Sequence, residues 1–143
     1  MAQKTEFPAP WTLEGSGVII FFPAHKQNVL SSPFIDAADK ANFRGGAGAV
    51  MLVHYEKADC GPYDELLYIP GFFEHNNKNY MRITKIFVSS KESVEWGRRN
   101  WAIPKELADF DWQQGEREWH IDVRNPKTKE NIYSVSLSPR FFS

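Results

Sequence analysis

The stretch REWHIDVRNPKTKENIYSVSLS, residues 117–138, constrains the fold more than any other part of the chain. Trp119, Ile121 and Val123 alternate with polar residues, and so do Tyr133, Val135 and Leu137. Successive side chains of a strand point to opposite faces, so each run gathers its apolar residues on one face. NPKTKEN between them reads as a turn, and the whole predicts a β-hairpin.

Strand-like runs recur upstream. Val18 to Phe22, bounded by Gly17 and Pro23, reads as a buried strand, and Ala49 to Tyr55 as another. CGPYDELLYIPGFF opens on a Gly-Pro turn and continues as an apolar strand. YMRITKIFVSS is rich in β-branched residues, and with the polar turn EHNNKNY before it a second hairpin with a longer loop is predicted. AHKQNVLSSPFIDAADKANF is ambiguous: Pro33 interrupts it, and DAADKANF has the length of about two helical turns. Ser89 and Glu92 are spaced as in a capping box, which predicts a short helix ending near Gly97. The expected fold class is mainly β: an antiparallel cone-like β-barrel or strongly curved sheet with one or two short helices, since closure hides strand edges. Residues 1–10, with Pro8 and Pro10, read as a flexible lead-in, and 11–143 as a single domain.

Composition removes several function classes. With 143 residues and a net charge of -1, the chain has no basic excess to attract phosphate backbones, so nucleic acid is not an expected partner. Aromatic residues at 15% suit a β-rich core or an aromatic-lined pocket. Cys60 is the single cysteine, which excludes an intramolecular disulfide. It has no evident base beside it and reads as an inert thiol. The N-terminus lacks an apolar signal core, and no apolar run reaches membrane-spanning length, so a cytoplasmic protein with no membrane partner is expected. His25, His54, His75 and His120 are scattered without ligand spacing, and no metal is expected. The glycines of RGGAGAV precede a strand rather than follow one, the reverse of a dinucleotide-binding loop.

Lys105 is the candidate for chemistry. It follows the rigid Pro104 and stands near Trp96, Trp101, Ile103 and Phe110 in WGRRNWAIPKELADF. An amine enclosed by apolar walls is desolvated, which favours its neutral form, and a neutral amine attacks carbonyl carbon to form an imine. The alternative is a snorkelling surface lysine with its stem on the tryptophans.

WGRRNWAIPKELADF resembles the active-site segment of the acetoacetate decarboxylase superfamily, in which a Gly-Arg pair precedes an aromatic-rich stretch and then Pro-Lys. Gly97-Arg98 and Pro104-Lys105 match in order and spacing. CGPYDELLYIP resembles the same family's Tyr-Xaa-Glu element, through Tyr63 and Glu65. The resemblance implies a cone-like barrel with a buried pocket, Lys105 as the Schiff-base lysine and Glu65 as the carboxylate that handles protons. Tyr63, Trp101, Ile103 and Arg98 would surround the substrate, with Arg98 pairing near the loop rather than touching it. Where the family pattern often has a second lysine, this chain has Glu106; TLEGSGVIIFF lacks the family's arginine and GAVMLVHY its further glutamate. The function implied is binding of a small keto acid or related carbonyl compound, with imine-based decarboxylation, aldol or dehydration chemistry and no cofactor. The alternatives are a non-catalytic barrel for an apolar or aromatic ligand, and a structural subunit. The family's later strands are not found after SVSLSPRFFS, which implies a shortened domain and a homo-oligomer whose copies complete the barrel.

Overall fold

The computed structural model describes residues 5–138; Met1 to Lys4 of the expected lead-in, and residues 139–143 of the expected domain, lie outside the described residues. In chain order the elements are β1 (Glu14–Pro23), α1 (Lys26–Ser31), α2 (Ala37–Lys40), β2 (Phe43–Gly45), β3 (Ala47–Lys57), β4 (Tyr63–Ile69) and β5 (Phe72–His75). There follow β6 (Lys78–Met81), β7 (Lys85–Val88), α3 (Lys91–Trp101), β8 (Lys105–Leu107), β9 (Asp109–Gln114), β10 (Trp119–Arg124) and β11 (Asn131–Leu137).

The chain is mainly β. The strands form a five-stranded sheet in the order β1-β3-β4-β7-β8 and two three-stranded sheets, β11-β10-β9 and β2-β5-β6. Among the described residues none of the three closes into a barrel. The antiparallel expectation has one exception: β7 and β8 run parallel, with α3 as the crossover between them. Parallel neighbours need such a connection, because a tight turn reverses the chain. Three helices are described rather than one or two, since the ambiguous segment supplies both α1 and α2.

The core lies between the five-stranded sheet and the β9–β11 sheet. Val50, Leu52, Leu66 and Phe87 face Ile121 and Val123, and Leu52, Ile121 and Val123 are fully buried. These inward residues fall on alternate positions, so their neighbours in β1, β3, β4 and β7 point to the opposite face of the sheet. A smaller cluster of Val29, Ile35, Phe43 and Phe73 joins α1 and the following loop to the β2–β5 pair.

Two apolar runs break where single strands were expected. CGPYDELLYIPGFF divides at Pro70-Gly71 into β4 and β5, which belong to different sheets. Gly71 has φ 152°, and a Cβ there would come within 2.8 Å of the Gly45 carbonyl oxygen. The chain turns on the one residue type that fits. YMRITKIFVSS likewise divides into β6 and β7, while the expected reversal before it occurs at Asn76 and Asn77, both at positive φ.

The helix α3 also differs from expectation. Its N-cap is Ser90, whose side chain accepts a hydrogen bond from the Ser93 backbone N–H, and it continues through Gly97 to Trp101. It ends at Ala102, in the left-handed conformation, whose N–H bonds the Arg98 carbonyl. Ser93 and Gly97, one turn apart, are its buried residues and face the five-stranded sheet. The segment ahead of β1 packs along the same helix. Phe7 is buried and meets the Trp96 ring edge-on, and its carbonyl accepts from Asn100 Nδ2 and Trp11 Nε1.

Candidate functional site

Lys105 is the first residue of β8, on the sheet face away from the main core, and its side chain runs beneath α3. Room for it is made by Gly97: a Cβ there would lie 2.7 Å from Lys105 Cδ and 2.9 Å from Cε. Any side chain at position 97 would occupy the space of the lysine stem. Arg98, next along the helix, donates from Nε to the Lys105 carbonyl at 3.0 Å and fixes the strand end. The Gly-Arg pair thus serves Lys105 twice, by leaving a channel and by anchoring its backbone.

Lys105 is buried by this arrangement, at 3% exposure. Its Nζ donates to Ser93 Oγ at 3.1 Å and reaches Tyr63 Oη at 3.5 Å. Glu65 Oε2 lies 3.5 Å from the amine. Tyr63 and Glu65 are two residues apart on β4 and so share a face. Ser93 and Glu65 both lie close enough to the Tyr63 phenol to act on its protonation. Serine, tyrosine and glutamate thus gather as a ring of polar groups around the lysine amine in an otherwise apolar place, which is the condition under which buried polar groups are tolerated.

Burial dominates the protonation of the acids in this ring. It pushes the Glu65 carboxyl above its ordinary value, against the pull of the Lys105 charge and the bonds from Lys105 and Tyr63. Burial, then the Glu65 charge, drives the Tyr63 phenol well above the usual tyrosine range, while its bond to Ser93 opposes the shift. Tyr55, across the strand pair from Tyr63, is pushed up to about 12 by burial and by Glu65. Burial thus works against negative charge on each of these three acids.

Around this ring is a pocket of about 290 Å³. Tyr63, Glu65, Trp101, Ile103 and Lys105 all line it, so five of the six residues singled out by sequence meet in one place. The sixth, Arg98, lies outside the pocket with its guanidinium on the backbone. The sequence reading missed Trp11, Tyr55 and Ser93. Trp11 packs edge-on against Trp101 at 5.0 Å and its ring lies 5.5 Å from Lys105 Nζ. Ser93 had one readable signal: it stands four residues before Gly97, so two small residues share a helix face.

Glu106 does not enter the site. Adjacent strand residues point to opposite faces, and its carboxylate meets Lys85 Nζ at 2.9 Å on the core side. The carboxylate beside the amine is that of Glu65. A second cavity, of about 240 Å³, lies on that core side among Phe34, Leu66, Tyr68, Phe87 and Tyr133, and its one cation is Lys85. Cys60 is half-buried, and burial pushes its thiol up, away from the reactive thiolate. His54 pairs with Asp64 and lies against Trp112, also on the core side. Among the described residues no helix is long and apolar enough to cross a membrane.

A mainly-β domain with a buried lysine under a crossover helix defines the structural class. No family model matches the chain, and no curated protein matches it in sequence. Solved structures match it in fold. Acetoacetate decarboxylase from Legionella pneumophila subsp. pneumophila str. Philadelphia 1 superposes with a TM-score of 0.70 at 12% identity, over 95% of this chain and 52% of that one. A second acetoacetate decarboxylase structure gives 0.72 at 10% identity, over 94% and 53%. The enduracididine biosynthesis enzyme MppR, complexed with the condensation product of pyruvate and imidazole 4-carboxaldehyde, gives 0.63 at 14%, over 94% and 57%. The chain spans about half the length of these proteins. Its fold is acetoacetate decarboxylase-like, at 10–14% sequence identity to these structures.

Proposed function

We propose that the chain binds a small carbonyl compound in this pocket and joins it to Lys105 as an imine. The observation that carries the reading is Lys105 at 3% exposure, with a carboxyl, a phenol and a hydroxyl as the polar neighbours of its amine. Lysine is almost never fully buried unless it is paired, and a buried lysine on a pocket wall is a candidate nucleophile. The amine adds to the carbonyl carbon, and the oxygen leaves as water with a proton from Glu65. The iminium then draws electrons from the adjacent carbon, so a bond there breaks, to a carboxylate in decarboxylation or to hydrogen in aldol and dehydration chemistry. Glu65 receives or returns the proton. The complexes of MppR with pyruvate and with its condensation product lend support to a carbonyl ligand.

The test is borohydride reduction in the presence of a panel of small oxo compounds, with the adduct mapped by peptide mass spectrometry. An adduct on Lys105 is expected; its absence with every compound would sink the proposal. The apolar rings of Trp11, Tyr55 and Trp101 favour a second reading, binding without turnover. That reading expects a ligand-induced rise in melting temperature that survives Lys105→Met. The closed barrel would require strands on the open edge of β1, and a second copy of this chain is the source we favour; a monomer by light scattering would remove it.

A further inference from the structure

We infer that the carbonyl compound taken by this site is an uncharged ketone or aldehyde with an apolar or aromatic body, and not a keto acid. This rests on the imine reading above. Among the described residues that line the pocket, Glu65 and Lys105 are the charged groups, and the rest of the wall is Trp11, Leu13, Tyr55, Trp101 and similar residues. The other cations of the neighbourhood are engaged elsewhere. Arg98 is held by the Lys105 carbonyl, Arg99 by Glu95 and the Trp96 ring, Arg82 by Asp39, and Lys85 by Glu106 on the other face.

The charge balance of the reaction then discriminates between substrates. Lys105 and Glu65 together carry no net charge, whether the proton between them sits on nitrogen or on oxygen. Addition of the amine to the carbonyl gives a neutral carbinolamine. Glu65 then protonates the departing hydroxyl, water leaves, and iminium and carboxylate again sum to zero. The carboxylate next removes a proton from the α-carbon. The C–H electron pair becomes the second bond of an enamine, and the nitrogen returns to neutrality. An uncharged substrate thus passes through every stage at zero net charge. A keto acid adds one unpaired negative charge to each of them, in a pocket with no second cation to meet it, and unpaired buried charge is strongly penalised. With no carboxylate to lose, the bond that breaks is the α C–H bond. The enamine can then regain a proton or add to a second aldehyde in an aldol step.

A matched pair of ketones tests this. In 5-methylhexan-2-one an isopropyl group stands where 4-oxopentanoate has its carboxylate, remote from the carbonyl. Rates of borohydride-trapped Lys105 adduct would be measured for both at neutral pH, each divided by the rate for a free lysine derivative. The uncharged ketone is expected to label Lys105 faster by about tenfold or more, equivalent to one decade in affinity. Equal or faster labelling by 4-oxopentanoate would overturn the inference and leave the imine reading standing. Failure of both ketones and of all other oxo compounds would overturn the two together. In D2O the uncharged ketone should also take up deuterium at its α-carbons; adduct formation without such uptake would overturn the enamine step.

Discussion

The two faces of the five-stranded sheet are made from residues one position apart, yet they follow opposite rules. Leu66 and Phe87 look toward the β9–β11 sheet and join a dense apolar core. Glu65, Ile86 and Lys105 look toward α3, where a glycine and a serine take the place of large side chains. On the first face contact area stabilises the fold. On the second, space has been kept for one long polar side chain, and its amine is met by Ser93, Tyr63 and Glu65. Strand alternation alone separates them, which is why Glu106 can serve a surface ion pair beside a buried amine without disturbing it.

The comparison can be broken by mutation. Leu52→Ala, on the core face, should lower stability by about 3 kcal/mol through lost burial and a cavity. Urea melts would read this loss, while the folded fraction keeps its rate of adduct formation at Lys105. Gly97→Ala should cost about 1–3 kcal/mol from overpacking, since the added methyl would overlap the Lys105 stem. It should also reduce trapped imine by about tenfold or more, because the amine must leave its place. A normal trapping rate would mean that Gly97 shapes only the helix. The double change Glu65→Gln with Lys105→Met should remove the adduct yet leave stability level or raised by about 1 kcal/mol, as buried ion pairs replaced together often do. A loss as large as that of Leu52→Ala would make the site face an ordinary core.

The smallest effect is alkaline. A group whose folded pKa is raised stabilises the fold fully below its unfolded value, and loses that contribution as pH climbs through the folded one. For Tyr55 the window runs from the ordinary 10.0 to about 12. Phenolate absorbance at that residue should lag behind the ordinary tyrosine titration, and the fold should weaken across the same window. A Tyr55→Phe variant with an unchanged alkaline profile would contradict the assignment.

Much of this was legible in the sequence where a single period governs a segment. The β10–β11 pair follows from strict alternation, because a hairpin with one buried face needs nothing else to specify its register. Lys105, Glu65 and Tyr63 were found through two short motifs, and the structure brings them together. Where a run stays apolar while the chain turns, the pattern is silent. Pro70-Gly71 and residues 82–84 interrupt no periodicity, although the strands on either side enter different sheets. β8 has three residues, too few for any period, and it pairs in parallel with a strand reached only through α3. Gly97 reads as a helix terminator by propensity, and tertiary need overrides this: the position must be empty for the lysine. Ser93 looks like a solvated helix residue until the amine above it is known.

The edge strand β1 carries one more consequence. It is ten residues long, no charge falls between Glu14 and Pro23, and Ile19 and Phe21 are 51% and 71% exposed on the face shared with Lys105. Such an edge is adhesive: it offers free backbone groups and bare hydrocarbon at once. Solubility limits, losses to hydrophobic surfaces and sensitivity to mild detergent should therefore trace to one strand. Charged residues placed at 19 and 21 would act as gatekeepers, improving handling without touching either the core or the lysine.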